Sequence, residues 1–190
     1  METPLAVLSH VTRVLEEQGV AYTVVGSFAS SLHGLYRATG DVDIVADIRP
    51  EQVGPIVAAL QSDFYIDGQA VRRAVARRRS FNVIHLESVF KVDVFIPPRD
   101  DFNQQQLVRR RPEKLKTDEE LTLYVATAED TILSKLRWYR AGGAVSNTQW
   151  ADVRGIIGAQ GGGLDLSYMR GWADRLGVRD LLEKALDESR

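Results

Sequence analysis

Apolar residues recur along this chain in two periods, and the switches between them lay out its elements. Leu5, Leu8, Val11 and Leu15 keep helical spacing, with Glu16, Glu17 and Gln18 on the other side and Gly19 as a stop. Ala21 to Val25 reads as a short buried strand. Gly26-Ser27 turns the chain, and Phe28 to Leu35 makes a short helix with Phe28 and Leu32 on one face. Gly34 and Gly40 bracket a loop carrying Arg37 and Thr39, and Asp41 to Ala46 is a second strand. Pro50 suits the first turn of a helix whose buried stripe is Val53, Ile56, Val57 and Leu60. Phe64 to Ile66 fits a short strand, and Gln69 to Arg79 a helix holding five arginines. Ser80 to Leu86 and Val89 to Ile96 are strands joined at Glu87-Ser88, the second stopped by Pro97-Pro98.

The segment from Arg99 to Glu120 is polar and contains RRRPEKLK (Arg109 to Lys116), which predicts a helix and a loop on the surface. Leu121 to Val125 fits one more strand. From there the period is helical. Thr127 is a good N-cap, with Glu129 and Asp130 in the first turn. Ile132, Leu133, Leu136 and Tyr139 supply the apolar face, and Gly142-Gly143 ends the helix. Further helices are expected over Thr148 to Ala159, up to Gly161-Gly162-Gly163, then Leu166 to Leu176 and Val178 to Ser189. The expected fold class is α/β (α+β): a mixed sheet flanked by helices over residues 1–125, with a helical part over 126–190 packed on it.

Composition narrows the chemistry. Hydrophobic residues make up 44% of the 190, enough for a sizeable core. Cysteine is absent, which excludes a disulfide scaffold and a thiolate zinc site. His10, His33 and His85 are widely separated, so a metal site is left to carboxylates and hard cations. The N-terminal stretch lacks the basic-then-apolar order of a signal peptide, and no apolar run approaches ~18 residues. A cytoplasmic protein without a membrane segment is expected. A net charge of -2 leaves nucleic-acid contact to local patches.

The candidate chemistry lies in the strands. Residues i and i+2 of a strand point to one face about 6–7 Å apart. Asp41 and Asp43 therefore project together, while Val42 and Ile44 face the core. Like charges so placed call for neutralisation by a shifted pKa or a bound cation. A third acid, Asp93, stands in the apolar run Phe90 to Ile96, where burial without a partner is costly. If the two strands pair side by side, three carboxylates can hold one or two Mg²⁺, leaving positions for substrate phosphates. Gly26-Ser27 follows a strand and opens a helix, so its backbone N–H groups can face an anion, with the Ser27 hydroxyl as a further donor.

This constellation resembles the DNA polymerase β-like nucleotidyltransferase superfamily: a strand, a Gly-Ser turn, a helix, an acid-x-acid strand, and a third acid on a later strand. GLYRATGDVD also looks like the Arg-x-Thr-x-Asp-hydrophobic-Asp form of small prokaryotic members. The likeness covers about Val20 to Ile96. It implies transfer of a nucleoside monophosphate from an NTP to an acceptor hydroxyl, with Mg²⁺ or Mn²⁺ as cofactor and pyrophosphate leaving. By it, Asp41 and Asp43 bridge metal to triphosphate, Asp93 holds the metal that activates the acceptor and can serve as its base, and Gly26 and Ser27 bind the leaving phosphates. ATAEDTILSKLRWYR and QWADVRGII resemble helices of abortive-infection-type nucleotidyltransferase toxins. That likeness implies that Lys135 reaches the nucleotide phosphates and that Asp152 supports the site, with tRNA or protein as acceptor and an antitoxin as partner. The chain differs at Trp150-Ala151-Asp152, where many relatives carry Lys-Asp-x-x-Asp.

Other readings stand beside these. Lys135, between Ile132 and Leu136, also fits a surface lysine laying its stem along an apolar stripe. Arg37 fits a phosphate contact or an ion pair with a nearby acid. Arg72, Arg73 and Arg77 with Arg109 to Arg111 fit either a solvated face or a path for RNA. Trp138, Trp150 and Trp172 fall on helices and are expected in the packing. A small hydroxylated acceptor such as an aminoglycoside, and a nucleotide- or partner-binding module without turnover, are the alternative functions.

Overall fold

The computed structural model describes residues 3–36, 39–116 and 120–189. The chain divides into two compact units: Met1–Val25 with Thr39–Val125, and Gly26–Ala38 with Ala126–Arg190. The helix opened by Gly26-Ser27, which the sequence places in the 1–125 core, therefore groups with the C-terminal helices. Among the described residues no helix is long and apolar enough to cross a membrane.

The first unit is built on a seven-stranded sheet: β1 (Tyr22–Val25), β2 (Asp41–Ala46), β3 (Phe64–Tyr65), β4 (Ser80–His85), β5 (Lys91–Phe95), β6 (Arg111–Lys116) and β7 (Glu120–Val125). Their order is β3-β4-β5-β2-β1-β7-β6. β2 runs parallel to β5 and β1 parallel to β7, and the remaining neighbours are antiparallel. Four α-helices belong to this unit among the described residues: α1 (Pro4–Glu17), α3 (Val53–Leu60), α4 (Gly68–Arg77) and α5 (Asp101–Arg109).

Alternation decides the core. Val24, Ile44, Val94 and Phe81 form one cross-strand row, and Val42, Val92 and Val83 the next; all are buried. Each such side chain contributes about 1.5–3 kcal/mol by leaving water. α1 covers this face. Its buried residues are Val7, Leu8, Val11, Thr12, Val14 and Leu15, so Val7 and Val14 do work the sequence reading gave to Leu5, which is half-buried. Tyr22 lies beneath α1 and donates from its hydroxyl to Glu16 at 2.8 Å. Burial, then that carboxylate, pushes the Tyr22 pKa well up.

One element departs from the pattern of its sequence. RRRPEKLK is not a surface loop: Arg111–Lys116 is β6, antiparallel to β7. Polar residues and a proline disguise it, yet both suit a sheet edge, where Pro112 lacks a donor and charges discourage edge-to-edge pairing.

The second unit is helical: α2 (Gly26–His33), α6 (Ala128–Ala141), α7 (Asn147–Gln160), α8 (Leu166–Leu176) and α9 (Arg179–Asp187). Thr127 caps α6, its side chain accepting from the Asp130 N–H. Gly34, just past α2, meets α7 backbone to backbone. A Cβ there would lie 2.9 Å from the Ile156 nitrogen and 3.0 Å from the Gly155 carbonyl carbon. Trp138 is 64% exposed, against the expectation that it packs. On α8 and α9, Glu183 accepts from both Arg170 and Arg179. Chiefly through Arg170, its carboxyl falls from 4.5 to about 2.

Two stability measurements check this packing. Gly34→Ala should lower stability by about 1–3 kcal/mol in urea melts, because no flexible side chain can yield. Gly158→Ala, in α7 with open space around the new methyl, should instead stabilise by about 0.4–1 kcal/mol. Glu183 holds fewer protons folded than unfolded, so its contribution is present above pH 4.5 and lost as pH falls toward about 2. Glu183→Gln should thus melt below wild type at pH 7 and match it near pH 2, the gap staying under about 1 kcal/mol because these charges are partly solvated.

Candidate functional site

The acids expected to act together stand on the two strands at the middle of the sheet. Parallel pairing of β2 with β5 sets Asp43 opposite Asp93 and Asp41 opposite Lys91. Neighbouring strands extend these into rows on one face: Val25, Asp43, Asp93 and Asn82, then Asp41, Lys91 and Ile84. The valines between the acids point into the core, which fixes the acids' direction.

Lys91 provides the neutralising charge. It sits two residues before Asp93, hence on the same face, and its Nζ lies 2.6 Å from Asp93 Oδ2 and 3.5 Å from Asp41 Oδ2. The hydrogen bond to Asp93 comes first among the causes that raise the Lys91 pKa; the charges of Asp93 and Asp41 add to it, and partial burial opposes it. Asp41 is further held by Thr39, whose hydroxyl donates to Asp41 Oδ1 at 3.0 Å. Thr39 thus fixes the first acid of the pair, two residues upstream of it.

The three carboxylates share a face, yet their geometry as it stands does not fit a divalent ion. Among the described residues no group of three or more His, Cys, Asp or Glu is placed to hold a metal. The cation against Asp93 and Asp41 is the lysine's own ammonium. Lys91 was visible in the sequence as a polar interruption of β5. Its spacing of two from Asp93 was the signal for this role.

β1 ends at Val25, the ladder partner of Asp43, and Gly26 is the next residue. Strand becomes helix there without a loop, and Gly26 takes φ +65°. A residue with a Cβ would be strained there by about 1–2 kcal/mol. Within the helical unit the α2 backbone is tied by Ser30, whose hydroxyl donates to the Gly26 carbonyl at 2.8 Å. His33 Nε2 donates to the Ala126 carbonyl at 2.6 Å.

Lys135 and Asp152 are brought together. Lys135 Nζ donates to Asp152 Oδ2 at 2.7 Å, with the side chains 10% and 14% exposed. Lys135 is therefore a buried, paired cation and not a surface lysine. One turn earlier on α6, Asp130 is fully buried, its Oδ1 accepting from the Tyr168 hydroxyl at 2.5 Å. Asp130 reads in sequence as an ordinary first-turn acid, and nothing local marks it as buried. Arg37 lies outside the described residues.

The arginine-rich stretches separate. Arg72, Arg73 and Arg77 are exposed along α4. Arg78 turns inward to Asp47 Oδ1 at 3.0 Å and the Pro97 carbonyl at 2.7 Å. Arg110 folds back on the Leu107 carbonyl, its guanidinium 4.9 Å from the Tyr124 ring centre.

No family model and no curated protein matches this sequence. Solved structures do. An antigenic nucleotidyltransferase-like protein from Paracoccidioides brasiliensis is 16% identical over 97% of this chain and 92% of its own, with a TM-score of 0.56. ANT(2")-Ia in complex with adenylyl-2"-tobramycin is 11% identical over 92% of this chain and 98% of its own, also at 0.56. The solution structure of ANT(2'')-Ia, an antibiotic-resistance factor, gives 0.53 at 10% identity over 95% of this chain and 96% of its own. At such identities the likeness establishes the fold: this chain has the mixed α/β fold of nucleotidyltransferases.

The Lys135–Asp152 pair generates one measurement. Asp152→Asn leaves a buried ammonium without its counter-charge and should destabilise by about 3–5 kcal/mol. Replacing both partners, Lys135→Met with Asp152→Leu, should recover most of that loss. A double-mutant cycle in urea reads the coupling directly.

Proposed function

We propose that this protein is a nucleotidyltransferase, moving a nucleoside monophosphate from an NTP to an acceptor hydroxyl and releasing pyrophosphate. The observation that carries this reading is the register of β2 on β5, which sets Asp43 and Asp93 side by side on one face of the central strands. The fold likeness supports it: among the similar structures is one holding an adenylylated product.

The roles follow from chemistry. The acceptor O–H gives its proton to the Asp93 carboxylate as the oxygen attacks the α-phosphorus of the NTP. The bond between that phosphorus and the oxygen bridging to the β-phosphate breaks, and pyrophosphate leaves with the electron pair. Gly26 and Ser27, at the start of α2, would donate backbone N–H groups and the serine hydroxyl to the departing phosphates. Asp41 and Asp43 complete the cation-attracting face, and the reading takes Mg²⁺ or Mn²⁺ with the NTP as its cofactor. Lys135 and Asp152 enter as an ion pair, so a phosphate contact by Lys135 would use the ammonium donors that Asp152 does not engage.

The acceptor has two readings. The abortive-infection likeness favours a tRNA or protein hydroxyl and a cognate antitoxin, and the exposed arginines of α4 supply charge for an RNA backbone. A small cationic acceptor is favoured by the carboxylate face and by the tobramycin product carried by one similar structure.

Transfer from α-labelled NTPs to total RNA, protein and an aminoglycoside panel tests the activity and separates the acceptors. Asp43→Asn and Asp93→Asn should each lower transfer by about 10²–10⁴-fold, with far-ultraviolet circular dichroism unchanged; full activity in both would end this assignment. Ser27→Ala should weaken NTP binding by about 1–2 kcal/mol. It is the better probe of the turn, since substitution at Gly26 also strains the backbone.

A further inference from the structure

The carboxylate face already holds a cation, and it belongs to the chain. Lys91 Nζ touches Asp93 Oδ2 at 2.6 Å and stands 3.5 Å from Asp41 Oδ2, bridging the two strands. Nothing in the apolar packing demands a lysine there: its neighbours in the row are Asp41 and Ile84, and the side chain is 37% exposed. A divalent ion binding the same carboxylates would coordinate oxygen at about 2.0–2.1 Å for Mg²⁺. Two cations on one carboxylate oxygen repel at short range. The ammonium and a metal therefore compete for Asp93 Oδ2.

We propose that Lys91 is a tethered competitor for the cation site of this face: it occupies Asp93 and Asp41 in the free protein, and a divalent ion binds these carboxylates only when Lys91 has swung away. The stem between Cα and Nζ has four rotatable bonds, so the amine can leave without a backbone change. A polyphosphate gives the released ammonium a new partner. Metal would then bind weakly alone and well together with a nucleotide triphosphate, which keeps the site from filling with free metal. The inference takes from the proposed function only that this face is a cation site.

The test uses Mn²⁺ alone, with no nucleotide or acceptor, titrated into the full chain and followed by the electron paramagnetic resonance signal of the free ion. Lys91→Met and Lys91→Gln should bind Mn²⁺ at least ten-fold tighter than wild type. Lys91→Arg, which keeps the charge, should stay within about three-fold of it. The gain should vanish in Lys91→Met/Asp43→Asn, which assigns it to this face. Melting gives an independent readout that also certifies folding. In chelator Lys91→Met and Lys91→Gln should melt below wild type, because Asp93 and Asp41 have lost their counter-charge, and Mn²⁺ should raise their melting temperatures by more than it raises that of wild type. Equal or weaker Mn²⁺ binding in both neutral variants, or a gain in Lys91→Arg as large as in Lys91→Met, overturns the proposal. Failure of NTP transfer in wild type would refute the enzymatic reading and leave these Mn²⁺ isotherms unaffected, so the two outcomes are distinguishable.

Discussion

The parallel pairing of β2 with β5 is the constraint on which the site depends. Two strands from distant parts of the chain, each carrying an acid in an apolar run, must lie in one register for Asp43 to meet Asp93. A slip of one residue in either strand would carry that strand's acids into the core and bring its apolar residues to the outer face. The hydrophobic effect therefore enforces the chemistry. Val42, Ile44, Val92 and Val94 are almost completely buried, and burying carboxylates in their place would cost far more than the register gains. The same alternation that builds the core aims the acids.

Placing three carboxylates together creates an electrostatic debt, met locally by Lys91 and by the Thr39 hydroxyl on Asp41. Lys91 lies two residues from Asp93, the shortest spacing that shares a strand face, and Thr39 reaches Asp41 from the loop just before β2. The helical unit handles its buried charge in a comparable way. Lys135 meets Asp152, and Asp130 meets the Tyr168 hydroxyl. Each contact links two helices through polar groups that are costly to leave unsatisfied, and so specifies which helix faces meet.

Much of the fold was legible because the period of the apolar positions changes cleanly. β2 runs over Asp41–Ala46 and α8 over Leu166–Leu176, as the pattern predicts. Thr127 caps α6 because its hydroxyl suits an open N–H, which is local chemistry. β6 was illegible for an equally physical reason: an edge strand need not alternate, and its charges and proline resemble a loop. Trp138 shows the complementary failure, since an apolar residue on a helix need not be inward.

The sequence by itself determined the candidates: Asp41 and Asp43 on one face by their spacing, Asp93 as an acid needing a partner, and Gly26 as the turn residue, where φ +65° excludes most side chains. Local geometry suffices for each. Only the tertiary structure decided what meets what. It set Asp93 opposite Asp43, put the Lys91 ammonium against Asp93 and near Asp41, and closed Lys135 onto Asp152. Strand pairing and helix packing join residues far apart in the chain, and whether a charge finds a partner depends on those long-range contacts. Periodicity along the sequence records which way a side chain points, and carries no record of what lies opposite it.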